Sequence, residues 1–225
     1  MAMDVVYGQR AVAEAERGRR RVHRVVTAKD VGEDELARLA GSREHQGIVA
    51  EVDPYPYADP AELLRAPDAL VVALDEVQDP HNLGAVCRSA EAAGASGVVI
   101  CERRAAAVTP AVCKASAGAV EHLRIARVRN LADWLVQAKE TEGLWVHGAA
   151  AEEPTQHTDA SLTGRTVLVL GSEGKGLRPR VADACDVLVS IPLRGKVGSL
   201  NVSAAAAVLL WEAVRQREAD PSGRS

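Results

Sequence analysis

The chain has no apolar run near the ~20 residues a membrane-spanning helix requires, and its N-terminus carries no signal-peptide pattern. A membrane span is therefore not expected, and a cytoplasmic location is. Cysteine is scarce: Cys87, Cys101, Cys113 and Cys185 form no C-x-x-C pair, and no histidines cluster beside them. They read as buried thiols in a reducing compartment, which argues against a disulfide framework and a zinc site, and no metal is expected. Excess positive charge is also missing. A formal net charge of -4 excludes a globally basic nucleic-acid binder, so any such contact must rest on a local patch.

Two common nucleotide fingerprints are absent as well. Gly171-Ser-Glu-Gly-Lys-Gly176 contains a Gly-Lys pair, but no Ser or Thr follows the lysine and no glycine stands five residues before Gly174, so it is not a Walker A loop. After the first strand of the main domain, where a dinucleotide fingerprint would fall, the chain reads Asp79-Pro-His-Asn82 instead. Nucleotide hydrolysis and hydride transfer are both disfavoured.

What is present is an alternating rhythm. At 225 residues and 47% hydrophobic, the chain can bury one substantial core with room for a small extra domain. From residue 70, short Val/Ile/Leu runs at Leu70 to Val77, Gly97 to Cys101, Leu123 to Val128, Leu144 to His147, Thr166 to Leu170 and Val187 to Ile191 alternate with helical patterns. Those patterns cover Asn82 to Ala95, Pro110 to His122, Leu131 to Glu142, Arg178 to Cys185 and a closing helix from about Ser199 to Glu218. Runs so continuously apolar suit strands buried on both faces, hence an α/β domain with a mainly parallel sheet.

Residues 1–53 are patterned differently, as a small α+β domain. A helix is expected over Gly8 to Gly18, a strand over Val22 to Ala28, a helix over Asp34 to Ala40 and a strand over Ile48 to Val52. Prolines 54, 56 and 60 mark residues 54–69 as a linker, and residues 221–225 form a tail beyond the main domain at 70–220. The small domain holds the dense basic cluster Arg17, Arg19, Arg20, Arg21 and Arg24, five arginines in eight residues. Such a cluster can grip phosphates bidentately, or it can be a solvated helix end whose cations complement the dipole. No aromatic residue interleaves it, so base stacking is not suggested.

Three stretches in the main domain point to a ligand site. Ile191-Pro-Leu-Arg-Gly-Lys-Val-Gly-Ser-Leu-Asn-Val-Ser203 runs from a strand end through a glycine-bearing loop into a small-residue helix, with Ser199 as the expected N-cap. An ordinary capped helix is the bland alternative. Leu168-Val-Leu-Gly-Ser-Glu-Gly-Lys-Gly-Leu177 offers a strand, a glycine turn and a carboxylate at the carboxyl end of a strand, where open α/β sheets bind ligands. Asn82 and Arg88 stand six residues apart on one helix, Arg88 as either a phosphate contact or an ion pair with Glu91 or Glu76.

Taken together, Asn82-x5-Arg88, Leu170-Gly-Ser-Glu-Gly-Lys-Gly-Leu177 and Ile191-Pro-Leu-x-Gly-x-Val-x-Ser-Leu-Asn-Val-Ser203 resemble, in order and spacing, the three motifs of the SpoU/TrmH family of RNA 2'-O-ribose methyltransferases. The resemblance spans roughly residues 70 to 218, and His45-Gln-Gly-Ile-Val-Ala50 is similar to the element closing the N-terminal substrate-binding domain of the ribosomal-RNA branch, here in shortened form. It implies a trefoil-knotted methyltransferase domain, which no periodicity argument could find because knots are rare exceptions. It also implies a homodimer, S-adenosylmethionine as cofactor, and a guanosine ribose of 23S rRNA as substrate. A tRNA 2'-O-methyltransferase of the same fold and a non-catalytic RNA-binding paralogue are the alternatives. By the same resemblance the adenosine rests against Gly171, Ile191 and Leu200, with Leu170 and Leu193 beside them, and Gly171 provides room. Arg88 matches the catalytic arginine; because a guanidinium stays protonated, a role in fixing the RNA phosphate suits it better than that of a base. Asn82, Glu173, Ser199 and Asn201 match the remaining polar motif positions.

Overall fold

The computed structural model describes residues 3–141 and 143–220, so the 221–225 tail and the expected helix end at Glu142 lie outside the described residues. In the N-terminal unit, β1 (Asp4–Tyr7), α1 (Gln9–Arg17), β2 (Val22–Thr27), α2 (Ala28–Val31), α3 (Glu33–Ala40) and β3 (Ile48–Val52) follow in order. The strands pair antiparallel with β3 in the centre, Tyr7 opposite Val49 and Val26 opposite Val49 on its two sides. β1 escaped the sequence pattern because only four residues, DVVY, make it. Leu36 and Ala40 on one stripe of α3 close a small core against Tyr7, Val26 and Val49.

The second unit comprises β4 (Leu70–Asp75), α4 (Pro80–Ala92), β5 (Gly97–Cys101), α5 (Pro110–Ala115), β6 (Ile125–Val128), α6 (Leu131–Ala138), β7 (Leu144–Ala149), β8 (Arg165–Gly171), α7 (Pro179–Ala184), β9 (Val187–Val189) and α8 (Val202–Ala219). Its strands form a six-stranded sheet ordered β6-β5-β4-β8-β7-β9, and every pair is parallel, as the continuously apolar runs require. β4 shows why. Leu70, Val72 and Leu74 face the core shared with α4 and α8, whereas Val71 and Ala73 face the one shared with α6 and α7.

The stretch expected as a linker is packed structure. Tyr55 is buried, Ala58 bridges to Ala126 at the end of the sheet, and Pro60–Leu64 forms a 3-10 turn whose Leu63 and Leu64 enter the core. Prolines here stop a helix without loosening the chain. Ala11, Val12 and Ala15 of α1 also join the main core, so one apolar cluster runs through both units.

Chain order and sheet order part company at β4 and β8, which are neighbours in the sheet and far apart in sequence. Beyond β9 at the sheet's edge, the chain returns across the carboxyl ends of the strands, and α8 packs in the middle against α4 and β8. The far end of α8 is fastened to the segment before β8. Gln216 Oε1 accepts from the Leu162 amide (2.8 Å), Arg217 Nε donates to the Leu162 carbonyl (3.1 Å) and Arg217 Nη2 donates to the Gly164 carbonyl (2.6 Å).

Candidate active site

The break between β4 and β8 is a topological switch point, where the carboxyl ends of a parallel sheet open a crevice. Asp75, the last residue of β4, is buried and accepts from the backbone amide (2.8 Å) and Nε (2.8 Å) of Arg178. The other end of the 171–178 loop is fixed by the Gly176 amide donating to the Ser172 carbonyl at 2.9 Å. α4 starts at Pro80 because Asp79 caps it, its Oδ1 accepting from the His81 amide at 2.9 Å. Asn82 therefore sits in the first turn, directed at the crevice.

Three side chains, one from each motif, meet there. Asn82 Nδ2 donates to Glu173 Oε1 at 2.9 Å, and Asn201 Nδ2 donates both to Asn82 Oδ1 at 3.0 Å and to Glu173 Oε1. Asn201 Oδ1 accepts from the amide (2.8 Å) and hydroxyl (2.6 Å) of Ser203. Asn201, not Ser199, is thus the N-cap of α8, which starts three residues later than the sequence suggested. Asn and Ser cap equally well, and only Asn201 also bonds the other two motifs, so tertiary contacts select it. Ser199 is exposed in the loop before it.

That loop, residues 191–200, makes no backbone–backbone hydrogen bond among the described residues. Gly195 and Gly198 have open space where a side chain would stand, and Leu193 and Leu200 are 37% and 40% exposed. Free amides and carbonyls beside Ile191, Leu193 and Leu200 are the donor set and apolar surface that a purine nucleoside needs, so these residues fit the adenosine of S-adenosylmethionine. Leu170 can contribute only its backbone, because its side chain lies in the core.

Gly171 departs from expectation. A Cβ there would lie 2.0 Å from the carbonyl carbon of Gly176 and 2.4 Å from the Leu177 amide nitrogen. Its missing side chain makes room for the loop's own return rather than for a ligand.

Arg88 is exposed and has no hydrogen-bond or ion-pair partner among the described residues. Glu76 is engaged by Arg178 at 3.1 Å and approached by Arg104 at 3.6 Å, so that alternative for Arg88 does not occur. Six residues place Arg88 about 9 Å along α4 from Asn82 and on a different side of the helix.

The N-terminal arginine cluster does not hold together as a phosphate grip. Arg20 is 6% exposed; its Nε donates to Glu121 Oε2 at 2.9 Å, and its Nη2 bonds Glu121 Oε1. Burial opposes its charge, yet the Glu121 carboxylate more than reverses this and holds the guanidinium above its ordinary pKa. Arg19 donates to the Leu123 carbonyl and to Tyr55 Oη, at 2.5 and 3.2 Å. Both residues are therefore clamps between the two units, a role that sequence spacing does not signal. Arg17 pairs weakly with Glu14 at the surface, and Arg21 and Arg24 are exposed.

An all-parallel sheet whose switch point joins a polar cluster to an open loop is the architecture of an α/β protein with a ligand site at the carboxyl ends of its strands. Residues 69–211 match the family described as SpoU rRNA Methylase, and residues 26–58 match RNA 2'-O ribose methyltransferase substrate binding. The chain belongs to the SpoU family, and is an S-adenosylmethionine-dependent RNA methyltransferase. It is 39% identical over 242 residues to the putative TrmH family tRNA/rRNA methyltransferase YacO of Bacillus subtilis, covering 95% of this chain and 96% of that one. It is 46% identical over 193 residues to the 23S rRNA (guanosine-2'-O-)-methyltransferase RlmB of Coxiella burnetii, covering 82% and 75%. Among solved structures, the SpoU methyltransferase AviRb of Streptomyces viridochromogenes, in complex with AdoMet, superposes with a TM-score of 0.84 at 28% identity, covering 96% and 91%.

Proposed function

We propose that this enzyme methylates the ribose 2'-hydroxyl of a guanosine in 23S rRNA, as the name of its Coxiella relative describes for that protein. The observation that carries the reading is the Asn82–Glu173–Asn201 cluster, which ties all three motifs together beside the open 191–200 loop. S-adenosylmethionine, when bound, supplies an electrophilic methyl group. The protein's task is to hold the attacking hydroxyl in line and to ease the loss of its proton. Ile191, Leu193, Leu200 and the backbone of Leu170 and Gly171 shape the nucleoside site, and the amide network fixes the position of the Glu173 carboxylate. Arg88, exposed and without a hydrogen-bond or ion-pair partner among the described residues, binds the RNA phosphate next to the reacting ribose. Ser199, exposed at the rim, hydrogen-bonds RNA or cofactor.

Residues 1–53 present the substrate, with Arg17, Arg21 and Arg24 as the exposed cations left for RNA phosphates. A homodimer is supported by α8, where Val208 and Trp211 are exposed, Trp211 by 51%. The Asn201–Glu173 contact, which brings the chain beyond β9 against the 171–178 loop, is in keeping with the trefoil knot. No described helix is long and apolar enough to cross a membrane. The cytoplasm, where ribosomal RNA is found, is the proposed location.

The test is incubation with methyl-labelled S-adenosylmethionine and separate unmodified 23S rRNA and tRNA pools, followed by mapping of the labelled ribose. Label on a 23S guanosine is expected; label confined to tRNA would overturn the substrate assignment. Arg88→Ala is expected to bind cofactor normally and to transfer methyl groups ~100-fold more slowly, the scale of losing one positioned charged group at a reacting centre.

A further inference from the structure

With Arg20 buried and Arg19 tied to the Leu123 carbonyl, the question is which cations receive the rest of the RNA, and the sheet's carboxyl edge carries others. Most exposed arginines there have structural work. Arg178 holds Asp75 and Glu76, Arg180 pairs with Asp133 at 3.1 Å, and Arg127 donates to the Glu102 carbonyl at 3.2 Å while lying over the Tyr57 ring, 5.1 Å from its centroid. Arg103 and Arg129 are different. Both are exposed, neither has a hydrogen-bond or ion-pair partner among the described residues, and both line one cleft of about 410 Å³ with Glu102, Asn130 and Asp133.

The fold brings them together. Cys101 and Val128 are register partners on β5 and β6, and the ladder continues one step with the Glu102 amide donating to the Val128 carbonyl at 2.9 Å. The next residues on each strand leave the sheet side by side. Asn130 is spent on capping α6, accepting from the Ala132 and Asp133 amides and donating to the Asp133 carboxylate, which Arg180 also neutralises. Glu102 is the one carboxylate in the cleft without such a partner among the described residues, so two free guanidiniums outweigh it. β6 stands three strand spacings from β8, roughly 14 Å from Gly171 across the same edge. That distance lies within the reach of nucleotides flanking a ribose at the switch point.

We propose that this cleft is a backbone-phosphate site for the RNA strand flanking the target nucleotide, with Arg103 and Arg129 as its contacts. This rests on the methyltransferase reading. The lining residues include no aromatic side chain, so the site grips phosphate rather than stacking bases and contributes affinity more than sequence choice.

The experiment is the full-length double variant Arg103→Gln/Arg129→Gln, assayed for methyl transfer to 23S rRNA and for binding of a single-stranded rRNA fragment across a salt series. Its control is Arg65→Gln/Arg124→Gln, the same charge change at the opposite edge of the sheet. We expect the RNA KM to rise about tenfold with kcat and cofactor affinity unchanged, and the slope of log K against log salt to become shallower by about 1.4, at ~0.7 per phosphate on a single strand. An unchanged KM and slope, or an equal loss in the control, overturns the site. If the wild type transfers no methyl group to any RNA, the methyltransferase reading fails, and the binding slopes still decide the cleft.

Discussion

Replacing Glu121 by alanine is the most severe test of how the two units are joined. Glu121 and Arg20 are almost wholly shielded from solvent, their side chains 0% and 2% exposed, and Arg20 also lies 3.7 Å from Asp4 and over the Tyr55 ring. Tyr55 Oη donates toward the carbonyls of Val120 and Leu123, at 3.0 and 2.9 Å, and Gly18 passes so close that a Cβ would lie 2.6 Å from that of Glu121. Removing the carboxylate leaves a guanidinium shielded from water, with the Asp4 carboxylate at 3.7 Å as its remaining anion. Breaking such a pair costs about 3–5 kcal/mol, a large part of the ~5–15 kcal/mol that holds a protein folded. For a chain of this length each kcal/mol lowers the melting temperature by about 2–4 °C, so a drop of about 6–20 °C is expected in a calorimetric scan. Limited proteolysis should then cut the 53–60 strap first. The double replacement Arg20→Met/Glu121→Leu, which removes both charges and keeps the volume, is expected to recover most of the loss. A melting temperature for Glu121→Ala within about 2 °C of wild type would refute the assignment of this pair as the clamp.

Gly171→Ala forces a methyl group into the backbone of Gly176. It should destabilise the protein by about 1–3 kcal/mol and weaken cofactor binding by about tenfold, measurable by calorimetry and equilibrium dialysis. Asn201→Ala loses the α8 cap, worth about 1 kcal/mol, and unties Asn82 from Glu173. Its methyl-transfer rate should fall ~100-fold, far beyond what the stability change explains. Glu212 accepts from Arg215 (2.8 and 2.6 Å) and Gln216 (2.8 Å), and chiefly the Arg215 bond holds its pKa down at about 2, against 4.5 for an ordinary glutamate. A depressed carboxylate stabilises fully above its unfolded pKa and loses that contribution as pH falls through the folded one. Glu212→Gln should therefore be less stable than wild type by about 1 kcal/mol at pH 7, the difference vanishing as pH falls from 4.5 toward 2; a gap independent of pH would count against the ion pair.

Much of the catalytic unit was legible in its residues. Residues 70–74, 97–101 and 167–170 carry no charged or hydrogen-bonding side chain apart from a cysteine, as suits a strand covered on both faces, and this pointed to the parallel sheet. Asn82, Glu173 and Asn201 were also recognisable as polar positions in glycine-bearing contexts, although nothing in their spacing said that they would bond one another. The short β1 had too few residues to show a period, and prolines 54, 56 and 60 suggested a loose linker where tyrosine and leucine packing makes an ordered strap.

Local chemistry thus determined the α/β class, the motif positions and the family, because periodicity, turn residues and motif order are properties of neighbours along the chain. Partnership was decided by the tertiary structure alone. Whether Ser199 or Asn201 caps α8, whether Gly171 admits a ligand or its own loop, and whether Arg20 meets a phosphate or Glu121 all depend on groups up to about a hundred residues away. In this chain the arginines crowded together in sequence are partly buried as clamps, whereas Arg103 and Arg129, 26 residues apart, are brought side by side by the pairing of β5 with β6.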